Sequence, residues 1–255
     1  MSLTINYHMH TTRCGHASGS DRDFVEKAIQ CGYSEIGFSD HTPYPFPEHH
    51  NPHLRMTSDK LEGYVTSVLN LREEYQSDIQ IYLALEAEYY PGFFDKWLHM
   101  VEPYPFDYFI LGQHFVGNDY PEIYTGTATD DESILKKYVD QTIGGLKTGT
   151  YIYLAHPDLI RFNDTHSDVY HEQMQKLCES AKELSIPLEI NLLGIADRRW
   201  YPNPIFWEIA GSVGNDVIIG ADAHKPSALD NQKEVDAAKS IISKNQLHLI
   251  QKLSF

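Results

Sequence analysis

The sequence lacks long apolar runs. The longest are short stretches such as Tyr108–Leu111 and Val217–Ile219, far below the roughly 18 consecutive apolar residues that a membrane-spanning helix needs. No basic flank and apolar block precede the first histidines, as they would in a secretory signal. We therefore expect a cytoplasmic protein that does not cross a membrane.

Cysteine and basic residues are also scarce. Cys14, Cys31 and Cys178 form no Cys-x-x-Cys pair, which argues against a disulfide framework and against a thiolate zinc site. Only 20 basic side chains stand against 36 acidic ones, and the formal net charge is −16. This field repels a nucleic-acid backbone and no basic stripe reverses it, so we expect no nucleic-acid partner.

Seven short β-like runs alternate with helix-like segments along the 255 residues, whose composition is that of a globular protein. The strands fall near residues 3–8, 34–39, 79–86, 107–113, 151–155, 186–191 and 216–221, and the helices near 20–31, 58–75, 131–147, 167–184, 204–211 and 228–243. This alternation predicts an α/β fold in which parallel strands form one closed or nearly closed barrel domain over residues 1–255.

Potential metal ligands stand where the predicted strands end, and in such a barrel the carboxyl ends of the strands gather the chemistry. His8 and His10 point to one face of a strand about 6–7 Å apart because side chains alternate with period two. The same spacing recurs later in the chain, at Glu86 and Glu88 and at Asp222 and His224. Further donors at strand ends or in the first loop are His16, Asp40, His41, His114 and His156.

Taken singly, each histidine is more typical of a core or surface residue. Six of seven strand ends with His, Asp or Glu are a constellation that burial does not require, so the sequence predicts a metal site. The sixth strand ends in the neutral amide of Asn191. We assign no role to the histidines outside the strand ends, which are His49, His50, His53, His99, His166, His171 and His248.

These motifs resemble, in type and order, the polymerase and histidinol phosphatase (PHP) metallohydrolases, and specifically the stand-alone histidinol-phosphatase branch. The resemblance covers nearly the whole chain. It rests on His-x-His at 8–10, Cys-x-His at 14–16, Asp-His at 40–41, Leu-Glu-Ala-Glu at 85–88, Gly-x-His at 112–114, Ala-His-Pro at 155–157 and Asp-Ala-His at 222–224.

The resemblance implies a distorted (β/α)7 TIM-like barrel that holds three divalent ions at the carboxyl ends of its strands. One site would use His8, His10, Glu86 and Asp222, a second Glu86, His114 and His156, and a third His16, His41 and His224. Glu86 would bridge the first two sites, and it is chosen over Glu88 by the family pattern. Nitrogen and oxygen ligands suit zinc, which we place first, as well as manganese or iron.

The resemblance further implies hydrolysis of a small phosphate monoester, L-histidinol phosphate, to L-histidinol and phosphate in histidine biosynthesis. As a mechanism we hypothesise attack of a metal-bridging hydroxide on phosphorus, without a covalent intermediate. Glu86, Asp222, His224 and Asp40 are the predicted catalytic residues, and His224, Asp40 or a metal-bound water would assist the leaving alkoxide. The sequence predicts no oligomeric state.

A phosphate dianion also needs planar guanidinium groups, and the chain has only seven arginines. We predict Arg161 and Arg198, in loops after the fifth and sixth strands, as the phosphate clamp, with Arg199 as a rival of Arg198. Glu88 is the predicted partner of a cationic part of the substrate. It could equally be an acceptor behind a metal ligand, or a rim carboxylate in water.

Three alternatives remain open. A PHP-type nuclease or another phosphoesterase would use the same ions on a different leaving group. An amidohydrolase would need eight strands and typically a carbamylated lysine, and no lysine follows the third or fourth strand. A metal-stabilised interaction module without catalysis would be expected to have lost ligands, whereas all nine expected positions are filled here.

Overall fold

The structure is a computed structural model that describes residues 3–47, 54–117 and 123–255. His49, His50 and His53 lie outside the described residues. In chain order the elements are β1 (Ile5–Asn6), α1 (Asp21–Cys31), β2 (Glu35–His41), α2 (Leu61–Glu74), β3 (Gln80–Ala87), α3 (Phe94–Val101), β4 (Tyr108–Leu111), β5 (Phe115–Val116), β6 (Ile123–Tyr124), α4 (Glu132–Leu146), α5 (Asp168–Glu183), β7 (Leu188–Asn191), α6 (Leu192–Ala196), α7 (Pro204–Val213), β8 (Asp216–Gly220), α8 (Gln232–Lys244) and β9 (His248–Leu249).

A curled parallel sheet forms the centre of the fold. Strands β1 to β4 pair in sequence order and β7, β8 and β9 pair in a second run, all parallel. Single parallel bridges join the two runs, from Leu154 to both Leu111 and Leu188, and from Met9 to Ala223. The α/β fold is therefore consistent with a distorted TIM-like barrel.

The fifth predicted strand, near 151–155, is reduced to the bridging residue Leu154. The backbone here still bonds to both neighbours. The Leu111 N–H of β4 donates to Tyr153 O, and the Leu154 N–H donates to Pro187 O, next to β7. The following residues turn away at once, and His156 has a φ of 29°, which no regular strand allows. An exact count of seven βα units stays a prediction.

The sheet is buried on both faces, which explains the nearly continuous apolar runs in the sequence. All seven residues of β2 are buried. Inside the curl lies a small apolar cluster, the inner cluster, made of Tyr7, Ala84, Tyr108, Ile110, Tyr153, Ala155 and Ile218. Since side chains alternate along a strand, Ala84 and Glu86 share one face of β3, so the inner cluster forms the floor beneath the strand ends.

The helices begin where local chemistry allows. Helix α1 starts with a capping box in which the Ser20 hydroxyl accepts from Asp23 N–H and the Asp23 carboxylate accepts from Ser20 N–H. It ends at Gly32, which has a positive φ. Helix α8 begins at Gln232, four residues later than the predicted 228, because a 3-10 turn over Pro226–Leu229 comes first.

Several short elements were not predicted from the sequence: α3, α6, β9 and the antiparallel hairpin of β5 and β6. The three cysteines are free. Among the described helices, none combines the length and the apolar character needed to cross a membrane.

Candidate metal centre

The structure brings all nine predicted ligands together at the carboxyl ends of the strands. Donor atoms within 4.8 Å of one another occur in five groups of three. The groups are His8, His10 and Asp222; His8, Glu86 and His156; His41, Glu86 and His114; His10, His41 and His224; and Cys14, His16 and His224. The predicted donors therefore surround one connected space rather than several separate ones.

The first predicted set has the spacing of ligands around one ion. The distances between its imidazole Nε2 atoms and carboxylate oxygens are 3.5 Å for His8 to Glu86, 3.6 Å for His8 to Asp222, 3.6 Å for His10 to Glu86 and 3.0 Å for His10 to Asp222. Zinc bonds to nitrogen and oxygen of about 2.0–2.2 Å place tetrahedral ligands about 3.4 Å apart.

These four donor atoms are also buried, and none of them forms a well-aligned hydrogen bond with a described residue, although His10 Nε2 lies 3.0 Å from Asp222 Oδ1 and His41 Nδ1 lies 2.9 Å from Glu86 Oε2. Buried polar atoms without a partner are rare and costly, and a bound ion is one of the explanations they call for. The donor set therefore fits a divalent metal ion.

Glu86 faces two sets at once. Its Oε2 belongs to the first set, whereas its Oε1 lies 2.9 Å from His156 Nε2 and 3.6 Å from His114 Nε2. This placement of the two oxygens is the one that the predicted bridging role requires.

The third predicted set is less compact. His16 Nε2 and His224 Nε2 lie 2.9 Å apart. His41 turns toward Glu86, with its Nδ1 2.9 Å from Oε2, and its ring centre is 6.0 Å from that of His224. Cys14 lies beside His16, but burial and the nearby charge of Asp40 raise the pKa of its thiol to about 12, so it remains protonated.

Glu189, in β7, was not identified from the sequence. Its Oε1 lies 2.7 Å from His8 Nδ1, and its Oε2 accepts from the His156 N–H and the Asn191 amide. A carboxylate behind a ligating imidazole fixes the ring orientation and tautomer. Asn191 also donates to Asp222, so the neutral end of the sixth predicted strand orients a ligand. A glutamate between the apolar residues Leu188 and Ile190 of β7 was the available signal.

Asp40 lies behind His10 rather than on the cavity. Its Oδ1 is 3.5 Å from His10 Nδ1 and accepts from the His41 N–H at 2.8 Å, and Oδ2 accepts from the Thr11 hydroxyl. It is fully buried and is not among the described residues that line the cavity. This geometry suits the orientation of His10 better than proton transfer to a substrate.

Two glycines leave room for the buried carboxylates. A Cβ at Gly112 would overlap Glu86, and a Cβ at Gly220 would overlap Glu189. Gly112 directly follows β4, which pairs with β3, and Gly220 ends β8, which pairs with β7. The close approach of these strands therefore depends on the missing side chains.

A cavity of about 630 Å³ opens above the centre. Of the candidate cations, Arg199 lines the cavity whereas Arg161 and Arg198 do not and are exposed. The guanidinium of Arg199 is already bound to the Asp197 carboxylate and to the Tyr201 hydroxyl.

The two predicted clamp residues lie next to the lining. Arg161 stacks over Trp200, whose indole donates to Leu159 O, and Arg198 lies between the lining residues Asp197 and Arg199 in the sequence. In the described parts of the chain, neither Arg161 nor Arg198 forms an ion pair, so their donors are available.

Glu88, the predicted partner of a cationic part of the substrate, lines the cavity, and that role stays a prediction. It is only 2% exposed, and its two oxygens bind Arg55, which the sequence analysis did not identify. Its Oε1 also lies 3.1 Å from His114 Nδ1. Of the roles considered for Glu88, an acceptor behind a metal ligand fits this position, and a rim carboxylate in water does not.

The chain is similar to several known proteins. The family described as PHP domain matches residues 6–192. The chain is 27% identical to a probable histidinol-phosphatase of Deinococcus radiodurans over 94% of both proteins, and 32% identical to a histidinol-phosphatase of Bacillus subtilis over 44% of each. The histidinol phosphate phosphatase of Lactococcus lactis, solved with zinc, L-histidinol and phosphate, has a TM-score of 0.76 over 100% of both chains at 19% identity, which shows the fold alone.

We expect Gly112→Ala to displace the Glu86 carboxylate from the histidines on its two sides and so to weaken metal binding, because the added Cβ would overlap the carboxylate. The measurement is the zinc retained per chain after dialysis, with folding followed by circular dichroism. Gly63→Ala is the control, since its Cβ would meet nothing within 4 Å and it lies inside α2. The control should keep its metal and gain about 0.5–1 kcal/mol of stability. Full metal content in Gly112→Ala would contradict the prediction that metal binding depends on the present position of Glu86.

We also expect zinc binding to release protons near pH 7.5. Burial lowers the pKa of His10, but its contacts with Asp222 and Asp40 outweigh this effect and raise the pKa from 6.5 to about 9. Its proton therefore stabilises the metal-free fold fully below pH 6.5, and this stabilisation is lost as the pH rises through about 9.

Because a ligating histidine must be neutral, the metal displaces that proton. Calorimetric titration with zinc in buffers of different ionisation enthalpy measures the number released. His10→Gln should release about one proton fewer. A binding heat that is independent of the buffer would be inconsistent with a protonated His10.

Proposed function

The chain belongs to the PHP family, and we propose that it is a metal-dependent phosphatase that hydrolyses L-histidinol phosphate to L-histidinol and phosphate. The observation that carries the proposal is the set of four buried, unpartnered donor atoms of His8, His10, Glu86 and Asp222 at the end of a cavity. The names of the two relatives support the substrate. The place in histidine biosynthesis follows from this reaction.

We propose that the barrel is a distorted (β/α)7 barrel in one domain, with three divalent ions, zinc first, at the carboxyl ends of the strands. His8, His10, Glu86 and Asp222 would hold one ion, Glu86, His114 and His156 a second, and His16, His41 and His224 a third. When bound, these ions supply a water of lowered pKa and neutralise charge on the phosphoryl oxygens.

The protein contributes fixed ligand orientations. Glu189 holds His8 through a contact of 2.7 Å with Nδ1, and Asp40 lies 3.5 Å from His10 Nδ1. The Nε2 atoms of both imidazoles face the carboxylates of Glu86 and Asp222. Little rearrangement is then needed when charge develops during the reaction. Of the two side chains predicted to assist the leaving alkoxide, His224 lines the cavity and Asp40 does not.

The substrate contacts follow from the cavity rim. Arg161 and Arg198 remain our proposed phosphate clamp, because their guanidinium donors are available whereas those of Arg199 are bound to Asp197 and Tyr201. Phe115 and Tyr124 line the cavity with ring centres 5.5 Å apart. They offer aromatic faces to the imidazole of the substrate.

We expect phosphate release from L-histidinol phosphate to exceed that from other phosphomonoesters and from an oligonucleotide. The assay compares kcat/KM at equal enzyme and zinc loading. A value for histidinol phosphate far above the panel is the expected result. Comparable values across the panel would retain a metallophosphoesterase and reject the histidine-pathway substrate.

Arg161→Ala and Arg198→Ala should each lower kcat/KM by about 2 kcal/mol of transition-state binding, because each removes charge-assisted hydrogen bonds to the phosphate. Arg22→Ala is the matched control, since Arg22 pairs with Glu74 on the outer surface. Arg199→Ala tests the rival. If only Arg199→Ala lowered kcat/KM, Arg199 and not Arg161 or Arg198 would be the phosphate-binding arginine.

A further inference from the structure

Arg55 is a buried guanidinium that the proposed reaction does not use. It lies between β2 and α2, is 4% exposed, and binds Glu88 through two parallel contacts of 2.6 and 3.0 Å. Four aromatic rings surround it, with centres 5.3–5.9 Å from its Cζ; they belong to Tyr44, Phe46, Tyr90 and Phe115. The position of this side chain is therefore fixed by contacts on several sides.

Glu88 connects this pair to the metal centre. Its Oε1 lies 3.1 Å from His114 Nδ1, and His114 Nε2 lies 3.6 Å from Glu86 Oε1. A carboxylate accepts but does not donate, so the imidazole must carry its proton on Nδ1. The lone pair of Nε2 then faces Glu86. His8 shows the same arrangement, with Glu189 behind it.

The energetics of the Arg55–Glu88 ion pair also indicate a role in orienting His114. A buried ion pair contributes little net stability compared with packed apolar side chains, whereas loss of one partner leaves an uncompensated charge. Two charges are nevertheless placed here, beside a ligand rather than in a remote part of the core. Because Arg55 binds both oxygens of Glu88 in one plane, it also sets the direction in which Oε1 points.

We infer that Arg55 is a positioning residue of the metal centre: it holds Glu88 so that Oε1 accepts the Nδ1–H of His114 and directs Nε2 toward Glu86. The inference rests on the proposed function in one respect, that His114 binds metal. Phe115, which follows His114 in the chain, packs on the guanidinium, so Arg55 also links the cavity wall to this ligand.

The decisive variant is Arg55→Met/Glu88→Leu, which replaces the ion pair by apolar side chains of similar size. Its metal-free form should keep a thermal midpoint close to that of the wild type, because no buried charge is left unpaired. Zinc affinity of the loaded protein, measured by competition with a chromophoric chelator, should nevertheless fall about 10- to 100-fold at one site.

A second readout follows the imidazole directly. Long-range proton–nitrogen NMR correlation of the histidine rings should show His114 with its proton on Nδ1 in the wild type and a mixture of tautomers in the double variant. Arg55→Lys keeps the charge without the planar fork, so it should retain stability and show an intermediate loss of zinc affinity.

The matched control is Arg22→Met/Glu74→Leu, which removes a bidentate pair of the same type from the surface. It should change neither zinc affinity nor the His114 tautomer. Wild-type zinc affinity and an unchanged tautomer in the Arg55 double variant would overturn the inference. If the double variant does not fold, the zinc affinity of Arg55→Lys decides. An affinity of Arg55→Lys equal to that of the wild type would overturn the inference.

These outcomes are distinct from a failure of the proposed function. No substrate enters the measurements, so a different leaving group would leave them unaffected. Absence of zinc binding by the wild-type protein would instead reject the metal centre itself.

Discussion

The structure depends on one buried carboxylate. Glu86 is 1% exposed, and imidazole nitrogens of five histidines lie within 3.6 Å of its oxygens: His8, His10, His41, His114 and His156. The five histidines come from four separate segments of the chain, and Glu86 comes from a fifth. Bringing them to one point requires a closed arrangement of parallel strands, and it requires glycine at position 112, where the neighbouring strand ends against Glu86. The strand arrangement therefore allows these side chains to meet at Glu86.

A second layer of carboxylates completes the pattern. Three of the imidazoles that face Glu86 have a further acid behind them, in the pairs His8 with Glu189, His10 with Asp40, and His114 with Glu88. Each acid fixes a ring so that the opposite nitrogen points inward. Such a centre is costly without a cation, because its inner donor atoms are buried and unpartnered. The large apolar core around the sheet must offset that cost.

The sequence predicted the inner layer and singled out Asp40 and Glu88 of the outer one, but it missed Glu189 and Arg55 for a physical reason. Strand ends and period-two spacing place His8, His10 and Asp222 at one edge, since parallel strands all end there. Glu189 meets His8 across 181 positions, and Arg55 meets Glu88 from an irregular loop, so no local pattern reveals either contact. The same limit applies to the fold. The fifth predicted strand is reduced to Leu154, because its length depends on pairing with distant residues, Leu111 and Leu188, which no local pattern reveals.

Charge distribution links the centre to its substrate. A chain of net charge −16 attracts a phosphate dianion only where metal ions and guanidinium groups reverse the field locally. The cavity wall also carries carboxylates, among them Asp230 and Glu234. A polynucleotide would meet acidic surface along its whole length, whereas the proposed monoester, with an amine and an imidazole, would present one phosphate to the centre and cationic groups to the wall. The acidity therefore favours the substrate we propose over a nucleic acid.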